Sequence, residues 1–284
     1  MNAPPIVELG RDGGTLDCFV VPWDSATFGF PVAEIAAFEL ADGQDPPSAL
    51  EPFDAWAAEQ GIRLATCRLD HDRLRESMSL EDGGFRFVEM VHGPRFELSR
   101  DIGEPRTAIA VAEATITDLE RLEAIAFSAF STGRFLLDWR LPPALSRGRY
   151  AGWVRSSFEN PAHRVLKAEV DEQIVGFFIT EDGADGRVYW HLTAIADEFQ
   201  GRGIGLSLWQ TMLLRHRAAG ASAVETTISA HNTAALSLYS RLGFAINPAR
   251  MTFHRIVGAS PGTIVGALPG STESSDTTTG ADRR

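Results

Sequence analysis

The segment Asp197-Glu198-Phe199-Gln200-Gly201-Arg202-Gly203-Ile204-Gly205 places three glycines where a run of strand-forming residues gives way to a run of helix-forming ones. Glycine at such a junction lets the backbone approach a ligand without interference from Cβ atoms. The first N–H groups of a helix have no partner within it, and they sit at the positive end of the helix dipole, equivalent to roughly half a charge. A phosphate or pyrophosphate is the ligand that such an end favours, and Arg202 is placed to add one more contact. By itself Gly-x-Gly-x-Gly names no ligand, because glycine-rich strand-to-helix turns serve several. A dinucleotide fold asks for Gly-x-Gly-x-x-Gly in its first strand-helix unit, with an acidic residue about 20 positions later at a strand end. The spacing here differs, and Glu225, the acidic residue at about that separation, falls near the start of its strand. No Lys-Ser or Lys-Thr follows the glycines, which removes a nucleoside-triphosphate P-loop.

The elements around this turn follow from periodicity. Residues 163–169, 174–180 and 187–196 read as three successive strands joined by polar turns, an antiparallel meander. A helix over 204–219, a strand over 223–229, a helix over 233–241 and closing strands around 244–246 and 251–257 complete an α/β arrangement with a mixed, mostly antiparallel sheet flanked by helices. Ahead of the meander, 108–113 reads as a short strand. Thr117-x-x-Glu120 has the spacing of a capping box opening a helix to about Phe130, and Tyr150, Trp153, Val154 and Phe158 mark one face of a helix over 144–158. Further upstream, strands are expected over 16–21, 32–40 and 63–69, and a helix over 71–80 stopped by Gly83-Gly84. A bent or paired strand follows over 85–98. The breaker-rich stretch 99–106 is the natural linker, giving units at 1–106 and 107–257. The Gly/Ser/Thr-rich stretch 258–284 is expected to be a disordered tail.

Two motifs together resemble the GNAT N-acyltransferase family. Leu192-Thr-Ala-Ile-Ala-Asp-Glu-Phe-Gln-Gly-Arg-Gly-Ile-Gly is similar to its cofactor motif, Gln/Arg-x-x-Gly-x-Gly/Ala after a strand and opening a helix. Asn232-Thr-Ala-Ala-Leu-Ser-Leu-Tyr239-Ser-Arg-Leu-Gly243-Phe244 is similar to its segment Asn-x-x-Ala-x-x-x-Tyr-x-x-x-Gly-Phe, at the expected distance downstream. The resemblance covers about residues 107–257 and implies the GNAT fold, with acetyl-CoA or another acyl-CoA as co-substrate and no metal. It assigns the backbone of Ala194, Ile195 and Ala196 to the pantetheine arm. Gln200 and the N–H groups of Gly201, Arg202, Gly203, Ile204, Gly205 and Leu206 go to the pyrophosphate. Asn232 would bond the pantetheine or the acyl end, and Tyr239 would stand near the thioester sulfur. A phenol with an ordinary pKa near 10 stays protonated at neutral pH and can donate to a leaving thiolate; the alternative is a core tyrosine.

The general base is the less defined partner. The strand Arg187-Val-Tyr-Trp-His-Leu-Thr-Ala-Ile-Ala contains no Asp or Glu, and His191 is its titratable group near neutral pH. Alternation puts Tyr189, His191 and Thr193 on one face, so His191 either acts, directly or through water, or is structural. A lysine amine with pKa about 10.4 is neutral in only about one molecule in 2,500 at pH 7, whereas an amine near 8 is neutral in roughly one in ten. The missing carboxylate therefore leans towards an amino sugar, arylamine or α-amine over a lysine side chain.

The first half adds a narrower resemblance. Trp23-Asp24-Ser25-Ala26-Thr27-Phe28-Gly29 resembles the start of dTDP-amino-sugar N-acetyltransferases, in which an incomplete GNAT-like subdomain precedes the catalytic one. Ala126-Phe-Ser-Ala-Phe-Ser-Thr-Gly133-Arg134-Phe135 resembles their segment ending Ser-Arg-Phe, with Gly133 in place of Ser. Arg134 could meet a nucleotide phosphate, and Phe135 or Trp139 could stack on a base or sugar ring; the alternative is a surface arginine with core aromatics. Trp23 and Phe28 read as packing. The implied acceptor is a small-molecule amine, best matched by a nucleotide-activated amino sugar. It would be acylated by direct ternary-complex transfer, since no Cys or Ser sits in a nucleophile motif. A protein or peptide amine, or acyl-CoA binding without turnover, are the alternatives.

Bulk properties bound the remainder. A formal charge of −12 and a pI near 5.0 argue against nucleic acid as a partner. No signal peptide or membrane span is read, so the expected location is the cytoplasm, with a homodimer left open. Cys18 and Cys67, the chain's only cysteines, lack metal-ligand spacing and read as reduced structural thiols.

Overall fold

The computed structural model describes residues 4–10, 13–43 and 47–258; apart from Gly258, the expected tail lies outside the described residues. The first half supplies β1 (Val7–Glu8), β2 (Thr15–Val20), α1 (Pro22–Phe28), β3 (Val32–Glu39), α2 (Glu51–Glu59), β4 (Leu64–Asp70), α3 (Leu74–Asp82), β5 (Arg86–His92) and β6 (Pro94–Glu97). Then come β7 (Ala110–Glu113), α4 (Leu119–Ala129), α5 (Arg134–Leu137), α6 (Pro143–Glu159), β8 (His163–Val170), β9 (Gln173–Asp182) and β10 (Arg187–Ile195). The last third is α7 (Ile204–Ala218), β11 (Ala223–Thr226), β12 (Ile228–Ser229), α8 (Thr233–Leu242), β13 (Ala245–Ile246) and β14 (Arg250–Ile256).

These strands make two mixed seven-stranded sheets, in the orders β1-β2-β3-β4-β14-β5-β12 and β13-β6-β11-β10-β9-β8-β7. The chain does not keep one sheet to each half. β14, near the C-terminal limit of the described residues, lies between β4 and β5 of the first sheet, while β6 from the first half pairs with β11 and β13 of the second. The 106/107 boundary expected from the linker is therefore crossed by strands in both directions.

Apolar side chains account for this layering. Phe53, Trp56, Leu80, Phe85 and Phe253 fill the space between the first sheet and α2 and α3. One face of the second sheet packs on α7 and α8 through Trp190, Phe178, Trp209 and Met212, and the other on α4 and α6 through Ile179, Leu192, Leu122 and Val154. Cys18 and Cys67 are buried free thiols of the first core, and burial pushes Cys18 up to about 12, so both act as small apolar groups. Among the described residues no helix is long and apolar enough to cross a membrane.

Two local expectations change. The capping box is formed by Thr115 and Asp118, not Thr117 and Glu120, because a 3-10 turn over Ile116–Asp118 precedes α4 and moves the reciprocal bonds two residues upstream. The strand expected to end at Pro22 is followed at once by α1, since proline at the first helical position already has a helical φ and needs no N–H partner.

Candidate active site

The site is built where two parallel strands separate. β10 and β11 pair in register from Arg187↔Ala223 to Trp190↔Thr226, and the Thr226 hydroxyl donates to the Trp190 carbonyl at 2.8 Å. Beyond that point β12 leaves for the first sheet, pairing Ile228 with His92 and Ser229 with Val91, while β10 continues along β9 to Ile195. The β11-facing edge of β10 past Trp190 thus has no strand against it, and Ile195 turns its backbone to it, whereas the Ala194 carbonyl points to β9, where a Cβ at Gly176 would meet it at 2.5 Å. Ala196 is less available than expected, since its N–H already donates to the Val175 carbonyl at 2.9 Å.

The glycine turn lies at the end of this edge. Gly201 and Gly203 have φ of 72° and 79°, a left-handed conformation that costs other residues roughly 1 kcal/mol or more, and a Cβ at either would meet nothing within 4 Å. Conformation, not space, selects these two glycines. Gly205 is different: a Cβ there would lie 3.2 Å from Ile195 Cδ1, so its small size lets α7 seat on β10. Gly203 caps α7 with no side-chain acceptor, the first turn has no acidic residue, and the last turn holds Arg215 and Arg217. No described residue accepts from the N–H groups of Gly201, Arg202 or Gly203. The result is an uncompensated positive helix end with free donors. Gln200 does not face it: its amide nitrogen donates to the Ile195 carbonyl (3.0 Å) and to Asp197 Oδ1 (2.9 Å), bracing the turn from within. The Arg202 guanidinium lies over the Phe199 ring, 5.7 Å from its centre. Ile204 and Leu206 pack their side chains on the core and offer only backbone.

Tyr239 projects from α8 to the vertex of the separation. It is 2% exposed, and its ring packs on Phe244 and Trp209, with centres 4.6 and 6.4 Å apart. Its hydroxyl is bordered by Trp209, Thr193 and Thr226, the last being the final paired residue of β11. Burial pushes the phenol above its ordinary range, despite the pull of those neighbours, so it carries its proton at neutral pH. Asn232 has a structural duty that the motif did not reveal: its Oδ1 accepts from the Ala235 N–H at 3.1 Å and caps α8.

His191 is placed by an irregularity. Trp190 pairs with Thr180 and Leu192 with Ile179, so His191 is the extra residue of a β-bulge. Simple alternation therefore fails across it: Thr193 turns to the Tyr239 side, while Tyr189 and His191 remain on the α6 side, where His191 meets Trp153 edge-on. A carboxylate serves it after all. Glu181 of β9 lies 2.7 Å from His191 Nε2, so the absence of an acid on β10 itself does not discriminate between amines. The hairpin register, which sets Glu181 opposite Tyr189, is the signal that would have located it. His163 of β8 completes the group, its ring 4.5 Å from that of His191 and its Nδ1 3.0 Å from the Ser157 hydroxyl. Burial and His191 hold His163 below the usual imidazole range. Ligand atoms of His163, Glu181 and His191 lie within 4.8 Å of one another, a donor set compatible with a divalent ion such as Zn²⁺ that residue spacing could not show, since each comes from a different strand.

Arg134 and Phe135 open α5 at the seam between the sheets. Phe135 is 1% exposed and lies between Phe28 and His254, with ring centres 5.1 and 5.2 Å away. A stack on a ligand is closed to it, and Trp139, 83% exposed, shows no ring contact among the described residues. The Arg134 guanidinium covers the Phe135 ring at 4.6 Å. A Cβ at Gly133 would fall 1.6 Å from the Tyr150 hydroxyl, so the place of a serine side chain is taken here by that phenol.

Residues 126–244 match the family model described as Acetyltransferase (GNAT) family. A 91-residue stretch, 32% of the chain, is 33% identical to mycothiol acetyltransferase of Saccharopolyspora erythraea, and spans only 30% of that relative's length. Over 227 residues, 78% of this chain and 90% of the relative, it is 28% identical to dTDP-fucosamine acetyltransferase of Escherichia coli O6:H1. A solved GCN5-related N-acetyltransferase from Sphaerobacter thermophilus superposes with a TM-score of 0.62 over 86% of this chain and 78% of that one, at 15% identity, a likeness of fold.

Proposed function

We propose, from the premise that the chain carries a GNAT acetyltransferase domain, that it transfers an acetyl group from acetyl-CoA to the primary amine of a small molecule. A nucleotide-activated amino sugar is the acceptor this reading favours. The observation that carries it is the opening between β10 and β11, with a buried protonated phenol at its vertex and free N–H donors at its end. The N–H groups of Gly201, Arg202 and Gly203 would hold the pyrophosphate, and the free edge at Ile195 would bond the pantetheine arm. Acetyl-CoA supplies the activated acyl group. As the new C–N bond forms and the C–S bond breaks, Tyr239 gives its proton to the departing sulfur, and His191, held by Glu181, takes the amine proton directly or through one water. The 28% identity to a dTDP-fucosamine acetyltransferase over 227 residues, a match that reaches into the first half of the chain, supports the amino-sugar acceptor.

The test is thiol release from acetyl-CoA by the full chain with a dTDP-linked amino sugar, simple amino sugars, arylamines, amino acids and a peptide library. Release with a small amine is expected. Release with peptides only would move the acceptor to protein, and none with any amine would overturn the reading.

A further inference from the structure

A polar row crosses the first sheet on the face turned to α5. Register places Arg68 of β4, Thr252 of β14 and Glu89 of β5 side by side, and Arg68 Nε donates to Thr252 Oγ1 at 3.2 Å. Glu89 is 3% exposed, yet its Oε2 has no hydrogen-bond partner. Ser229 and His231 border the same carboxyl, and Ser229 belongs to β12, which pairs with β5 directly after the chain leaves the β10–β11 opening. Facing the row, Arg134 has a side chain 14% exposed whose donors meet no acceptor among the described residues. Its nearest anion is Asp24 Oδ2 at 3.8 Å, an oxygen that itself lacks a partner, while Arg149 engages Oδ1.

An ionised group taken from water without hydrogen bonds costs several kcal/mol, so buried charges are ordinarily paired to saturation. Here a carboxylate and a guanidinium are both left short, on either side of one seam, next to the opening where acyl transfer would occur. Burial pushes the Glu89 carboxyl up, and burial with the nearby Arg134 pulls Arg68 down to about 10, as expected for charges whose partners are missing. Charge of both signs on one wall fits a ligand that also carries both.

We propose that this seam is the acceptor site and that it selects an amine borne on an anion, with Arg68 and Arg134 holding a phosphate or carboxylate and Glu89 accepting from the ammonium. The assignment rests on the acylation of a small amine argued above, and it adds the requirement for an acidic group on the acceptor. A nucleotide amino sugar and a diamino acid share that chemistry.

The experiment compares kcat/KM for a dTDP-linked amino sugar, L-2,4-diaminobutyrate and D-glucosamine, the last an amine without an anion, in the wild-type chain, Arg134→Gln, Arg134→Lys and Glu89→Gln. Thermal shifts with each acceptor and CoA are recorded in parallel. At least one anionic amine should exceed glucosamine by tenfold or more, and Arg134→Gln should cut that ratio at least tenfold while the KM for acetyl-CoA stays within twofold. Arg134→Lys, which keeps the charge and loses the fork, should fall between. Glu89→Gln should raise the acceptor KM at least fivefold. Which anionic amine responds separates the nucleotide from the amino acid source. Equal use of glucosamine, or a ratio that Arg134→Gln leaves unchanged, overturns the proposal. If no amine is acylated but an anionic amine stabilises the wild-type chain and not Arg134→Gln, the pocket stands and the acylation reading falls. If anionic amines neither react nor stabilise, the pocket falls.

Discussion

Replacing Tyr239 with Phe removes one oxygen and little else. The ring contacts to Phe244 at 4.6 Å and Trp209 at 6.4 Å persist, and the Thr226 hydroxyl keeps its bond to the Trp190 carbonyl, so no buried threonine on β11 is orphaned. The loss to stability is that of one hydroxyl in a polar corner, about 1 kcal/mol, or a fall in Tm of about 3 °C for a chain of this size. Chemistry should suffer far more. Donation by a positioned acid contributes about 10²- to 10⁴-fold, equivalent to about 3–5 kcal/mol of barrier. Acetyl-CoA affinity, which the proposed site assigns to the turn at Gly201 to Gly203 and the free edge of β10, should stay within about threefold. Calorimetric titration with acetyl-CoA, thermal melting and steady-state thiol release with the best amine separate the three quantities. A variant retaining more than a third of wild-type kcat, or one whose kcat and affinity fall in parallel, refutes the assignment of Tyr239 as acid.

Three further outcomes are expected. Glu181→Gln takes the anion from His191 and should lower kcat by roughly tenfold or more, with a greater loss for an amine of pKa near 10 than for one near 8, because the first arrives protonated; pre-steady-state rates with both amines check this. Gly203→Ala forces a side chain into a φ of 79° with open space around it, so Tm should fall by the equivalent of about 1–2 kcal/mol and acetyl-CoA binding should weaken, measurable by titration. His216, whose Nε2 accepts from Trp190 Nε1 at 3.0 Å, is pushed down to about 4 by burial and is neutral when folded. An unfolded histidine takes its proton near pH 6.5, so stability should hold above that pH and fall by up to about 3 kcal/mol as pH drops through 6.5 towards 4; His216→Gln should flatten that decline in melting curves.

The elements around the glycine turn were legible in the residues because their signals are local. A glycine turn, the helix it opens and the Tyr239 helix are contiguous segments, and their periodicity and motifs locate them within a residue or two. The carboxylate beside His191 was not, because Glu181 reaches that histidine across a strand pairing, and the bulge at His191 cancels the alternation of faces. The acceptor wall was least legible: Arg68, Glu89 and Thr252 become neighbours only through a pairing between distant strands. Arg134 was marked by its sequence context, but Phe135 next to it proved to be core, since an aromatic beside a charged residue reads alike whether it faces ligand or interior.

The position of β14 also constrains how the chain comes to be folded during synthesis. Arg68 and Thr252 are bonded neighbours 184 residues apart, so a ribosome releases β4 and β5 long before the strand that belongs between them. Until then the two strands hold an open slot of unpaired backbone, the kind of edge that recruits strands from other chains. Such distant closure is slow relative to local helix and hairpin formation. It also means that the row facing Arg134 comes into being only with β14, so a nascent chain can assemble its glycine turn and Tyr239 helix before that row.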